Sequence, residues 1–126
     1  MCAAGLALAL VGLLTAPSAQ AARRGCEGRL VHTMTVSAGE VRLYKTRTHA
    51  CAVTIAHRPL PRGQLGVSIQ PRGGVPVQAS AGFRADGRRR PVGRFAGPVT
   101  VHAISRCVFV RGHVGAEPVS SGWVLC

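Results

Sequence analysis

Residues 96–115 read AGPVTVHAISRCVFVRGHVG and place Cys107 between His102 and His113. A thiolate beside an imidazole is a cysteine nucleophile. Cysteine and histidine together are also metal ligands. The alternative is two neighbouring strands with a structural cysteine, and the rest of the chain favours that alternative. His32, His57, His102 and His113 show no close ligand spacing between any two. The carboxylates that usually orient ligating histidines are scarce.

Other chemistries fare no better. Glycoside hydrolysis generally needs two carboxylates flanking the bond, and Glu27, Glu40, Asp86 and Glu117 form no convincing pair. Asp86 falls in a turn, and Glu117 precedes Pro118 in an expected loop. A Ser-His-Asp triad is defined by geometry rather than spacing, but no G-x-S-x-G elbow occurs. The expectation is a non-enzymatic protein with no catalytic residue, no cofactor and no metal.

The elements that would position these residues begin after a leader. MCAAGLALALVGLLTAPSAQA carries an apolar run from Ala3 to Leu14 and the small-residue pattern Ala19-Gln20-Ala21. This is the pattern of a secretory signal peptide, residues 1–21. The run is shorter than the roughly 20 residues of a membrane span. Arg23-Arg24 follows the apolar run, which argues against twin-arginine export, and the residues before Cys26 are not a lipoprotein pattern. The expected domain is residues 22–126, sufficient for one small unit.

Cys2 leaves with the leader, and Cys26, Cys51, Cys107 and Cys126 remain. An even number in a small exported chain reads as two disulfides, and four cysteines allow three pairings. No C-x-x-C occurs, which disfavours a zinc ribbon or a thioredoxin-type pair. Cys51 shares an alternation face with Val53 and Ile55, and Cys107 shares one with Phe109. If those faces point inward, Cys51 meets Cys107 across a core and Cys26 joins Cys126. Spacing alone does not choose among the pairings.

Apolar residues recur with period two, the mark of half-buried strands. LVHTMTV, EVRLYKTR, CAVTIA, LGVSIQ, VPVQASAGF, VTVHAI, CVFVRG and SGWVLC are separated by Gly- or Pro-bearing turns. Arg58 to Gly63 reads as a loop because Pro59 and Pro61 cannot donate ladder bonds. RADGRRRPVGR, residues 84–94, reads as the clearest exposed loop. The fold expected is all-β: a small antiparallel sandwich or barrel of about 7–8 short strands with two disulfides.

The chain has 16 Lys and Arg against 4 Asp and Glu, a formal charge of +12. A charge so far from zero implies anionic partners. For an exported chain these are cell-wall polyanions, acidic polysaccharide, extracellular DNA or lipid headgroups. Stacking aromatics are sparse, which disfavours a specific nucleic-acid reader. Trp123, beside Cys126, is expected to pack on a disulfide. Arg88, Arg89, Arg90 and Arg94 are the candidate anion contacts, each a point or bidentate partner for phosphate or carboxylate.

In chain order, several pieces resemble the small secreted spore-associated proteins of filamentous actinobacteria. They are Glu40-Val41-Arg42-Leu43-Tyr44, Cys51-Ala52-Val53-Thr54, Ala96-Gly97-Pro98-Val99-Thr100-Val101, Arg106-Cys107-Val108 and Ser121-Gly122-Trp123 with Cys126. The resemblance spans Cys26 to Cys126. It implies an exported protein at a spore or hyphal surface or in the medium, with no enzymatic activity attached. The family is richer in Tyr, Trp, Ser and Thr and less basic than this chain. The expected function is a non-enzymatic envelope or spore-surface protein whose basic surface associates with anionic cell-wall polymers, with no specific nucleic-acid partner and no transmembrane segment. The alternative is a secreted inhibitor or antimicrobial protein acting through the 84–94 loop.

Overall fold

The computed structural model describes residues 25–61, 63–80 and 92–126. The expected signal peptide, 1–21, lies outside these residues, as do Arg88, Arg89 and Arg90. The described chain is all-β. Its strands are β1 (Arg29–Val36), β2 (Gly39–Lys45), β3 (His49–Pro61), β4 (Leu65–Pro71), β5 (Val77–Ser80), β6 (Val92–His102), β7 (Val108–Val114) and β8 (Glu117–Val124). They form two antiparallel four-stranded sheets, β1-β2-β3-β6 and β5-β4-β7-β8. Among the described residues no helix is long and apolar enough to cross a membrane.

The core lies between the sheets. The first sheet contributes Met34, Val41, Leu43, Ala50, Ala52, Ala56, Ala96, Val99 and Val101, and the second Leu65, Val67, Ile69, Val108, Val110 and Val114. In β7 the alternation is complete: Val108, Val110, Gly112 and Val114 are buried, while Phe109, Arg111 and His113 face outward. Thr54 is the buried polar side chain of this interior. Its hydroxyl donates to the carbonyl of Gly66 at 2.8 Å, joining β3 to β4 across the two sheets. Gly112 permits that approach. A Cβ there would sit 2.5 Å from Val41 Cγ2 and 2.8 Å from Thr54 Oγ1.

The disulfides are Cys26–Cys51 and Cys107–Cys126, not the pairing that alternation suggested. The inward face of β3 is the small one, Ala50, Ala52, Thr54 and Ala56. Cys51 and Val53 lie on the outer face, where Cys26 of the N-terminal segment covers them beside Tyr44 and Ile55. Cys107 shares the outer side of the other sheet with Phe109. The core therefore separates Cys51 from Cys107, and each takes a partner on its own side.

Three further expectations change. Arg58–Pro61 is not a loop: β3 continues, with Leu60 paired to Gly93 and Pro61 to Val92 after a register shift. The β2 pairing ends at Ala56, so this stretch is bonded on one side only, and prolines are tolerated where no ladder bond is required. Glu117 opens β8 instead of lying in a loop. The runs VTVHAI and CVFVRG are not paired neighbours, because β6 and β7 belong to different sheets. The chain crosses between them through residues 103–107, where Ser105 takes a positive φ of 47°.

Candidate functional site

The thiol of Cys107 is bonded to Cys126. His102 and His113 lie on the outer faces of opposite sheets, so the three residues do not converge. His102 instead pairs across strands with His49, ring centroids 4.9 Å apart and edge to face. His113 Nε2 lies 3.2 Å from the carbonyl of Gly63, and its ring packs over Gly66. Among the described residues no three of His, Cys, Asp and Glu gather as a metal site.

Arg94 is in β6 rather than in a loop. Its guanidinium donates to the carbonyls of Ala56 at 3.5 Å and His57 at 3.2 Å. Those carbonyls lie where the β3–β6 register shifts. Arg94 thus turns part of its hydrogen-bonding capacity back onto the backbone.

The outer face of the second sheet gathers what the sequence left scattered. Register aligns Ser80, Gly66, His113 and Pro118 in one row across β5, β4, β7 and β8. The next row is Gln78, Ser68, Arg111 and Ser120, and beyond it Gln70, Phe109 and Trp123 align. Gly66 and Ser68 are short and lie between longer neighbours. A depression of about 730 Å³ results, lined by Ser68, Gln78, Ser80, Arg111, His113 and Ser120 among others.

At the end of this trough the Phe109 and Trp123 rings meet edge to face, centroids 5.4 Å apart. The Arg111 guanidinium lies over Phe109 at 4.6 Å and that of Arg72 over Trp123 at 5.8 Å. Both distances suit cation–π attraction. Trp123 is 44 % exposed, so it is a surface ring rather than one packed away on the terminal disulfide. Arg72 is held by its backbone N–H, which donates to the Cys107 carbonyl at 2.9 Å.

A bulge in β8 puts Trp123 on this face. Phe109 pairs with Trp123 and Arg111 with Ser120, so Ser121 and Gly122 together oppose Val110. Gly122 takes φ +68° and the Ser121 hydroxyl accepts the Val110 N–H at 2.9 Å. One extra residue inverts the side-chain alternation beyond it. Simple period-two reading therefore puts Ser120 and Trp123 on opposite faces. The legible signal was in β7, where Phe109, Arg111 and His113 alternate with valines.

The other outer face is more occupied. Arg42 lies 2.5 Å from Glu40, and its pKa is raised, first by its hydrogen bond with Tyr44 and then by Glu40. Tyr44 also covers Cys26–Cys51. Comparison with protein-family models, curated proteins and solved structures gives no match for this chain.

Proposed function

We propose that this is an exported, non-enzymatic protein held to anionic cell-envelope polymers by its basic surface. The reading accords with the resemblance to small secreted spore-associated proteins. The observation that carries it is the lack of internal neutralisation. Among the described residues the ion pair is Arg42–Glu40 alone, and the Glu117 carboxylate is taken by Ser37 rather than by an arginine. The remaining described arginines keep their charge for an external partner, and seven of the chain's basic residues lie in segments outside the description. Two disulfides are in keeping with an oxidising compartment.

The test is co-sedimentation of the folded, oxidised protein with purified cell wall at low and high salt. Screening falls from a range of about 10 Å at 0.1 M to about 3 Å at 1 M. Binding at low salt that disappears at high salt is the expected result. Absence of binding at both would overturn the reading. Replacing Arg88, Arg89, Arg90 and Arg94 with Gln tests how much of the attraction comes from that segment.

A further inference from the structure

We infer that the outer face of the β5-β4-β7-β8 sheet is a binding site for an anionic polysaccharide, with Arg111 as its anion contact and the trough over Ser68 as its sugar subsite. The inference rests on the proposed envelope association and deepens it by naming the site and the ligand chemistry.

Two groups of observations carry it. The first is preorganisation. A free arginine loses side-chain entropy on binding, roughly 0.5–1.5 kcal/mol per immobilised side chain. Arg111 and Arg72 are already laid over Phe109 and Trp123. A guanidinium resting on a ring keeps its N–H edge for a bidentate carboxylate or phosphate. His113 adds a polar ring in the adjacent row. The described carboxylates, Glu27, Glu40 and Glu117, do not line the trough.

The second is the lining of the trough itself. Ser68, Ser80 and Ser120 offer hydroxyls and Gln78 an amide. Such groups donate to and accept from the ring hydroxyls of a sugar. A volume of about 730 Å³ lies in the range of small-ligand sites. The aromatic rings argue against a single-stranded nucleic acid. Base stacking needs open ring faces, and the guanidiniums of Arg111 and Arg72 already lie over these. A polyol bearing carboxylates needs the hydrogen-bonding floor and the forked cations, and both are present.

The chain has one tryptophan, and Trp123 is that residue. Its fluorescence therefore reports this face alone. The experiment titrates the oxidised protein with oligogalacturonate, neutral dextran and inorganic polyphosphate, following Trp123 emission. Arg111→Gln is compared with Arg47→Gln, which removes equal charge from an exposed position after β2. Ser120→Asp, which sets a carboxylate opposite Arg111, is the second variant.

Oligogalacturonate should change the emission saturably and dextran should not. Arg111→Gln and Ser120→Asp should weaken the affinity at least tenfold, and Arg47→Gln less than twofold. Equal loss in Arg111→Gln and Arg47→Gln, or binding by sedimentation without any emission change, overturns this site while the envelope reading stands. Tighter binding of polyphosphate with the same emission change overturns the polysaccharide assignment. Failure to bind any polyanion overturns the site and the envelope reading together.

Discussion

Glu117 reaches across from β8 to the β1–β2 turn and binds Ser37 twice. Its carboxylate accepts the Ser37 backbone N–H at 3.1 Å and the Ser37 hydroxyl as well. The two residues belong to different sheets, so this contact closes one end of the sandwich. The interior bond between Thr54 and Gly66 joins the same two layers further in.

The Ser37–Glu117 contact predicts an acid-sensitive increment of stability. The hydrogen bonds from the Ser37 side chain and then its backbone lower the Glu117 pKa below the ordinary value of 4.5. A carboxylate with a depressed folded pKa contributes stability above its unfolded value and loses it as pH falls through the folded one. Melting temperatures of the parent and Glu117→Gln should differ most near pH 7. The gap should narrow in acid and close below the folded pKa. A gap that is independent of pH would contradict the assignment.

Gly112→Ala tests the close approach of the two sheets. The added methyl meets Val41 and Thr54, both buried in the interior. Overpacking of this kind costs about 1–3 kcal/mol. Urea unfolding should show a lower midpoint with an unchanged slope. The same substitution at Gly63, where φ is +83° and no atom lies within 4 Å of a Cβ, separates packing from backbone strain.

Thr54→Val keeps the shape of the side chain and removes its hydroxyl. The Gly66 carbonyl then loses its cross-sheet donor. Losing one such hydrogen bond costs about 0.5–1.5 kcal/mol. Thr54→Ser should recover part of the difference measured by denaturant unfolding. No recovery would assign the loss to packing.

The disulfide arrangement predicts a peptide map. Proteolysis of the oxidised protein under non-reducing conditions should yield Cys26 linked to Cys51 and Cys107 linked to Cys126. The bridges span sequence separations of 25 and 19 residues. Each is worth about 3 kcal/mol in the chain-entropy description. Replacing Cys26 and Cys51 together with Ser should lower stability by that order and leave the Cys107–Cys126 peptide unchanged. Recovery of a Cys51–Cys107 peptide would refute the arrangement.

Strand content and the two-disulfide, all-β class were legible because alternation is a local property. Val41 and Leu43 face inward and Arg42 and Tyr44 outward, as their spacing suggests. What alternation does not contain is which face of a strand meets the other sheet. On β3 the bulkier face, Cys51 and Val53, is covered from outside by the segment around Cys26. The alanine face meets the core, so bulk pointed the wrong way. The aromatic–arginine face was illegible for a related reason. It depends on the pairing of β7 with β8 and on the Ser121–Gly122 bulge, and both are long-range facts. Arg94 was legible as a basic residue but not as a strand residue, because its placement follows from the extension of β3 through Pro61.

The bulge at Ser121–Gly122 makes the character of the outer face independent of the length of the gene by one codon, because two residues stand opposite Val110 where one would do. Deleting either residue restores regular alternation in β8 and leaves Ser120 opposite Arg111 and the indole of Trp123 opposite Phe109, on the same outer face. A lineage carrying this sandwich can therefore gain or lose one residue here in a single in-frame step and keep the ring platform. Relatives with one residue fewer between Ser120 and Trp123 would present the same outer face on the same fold.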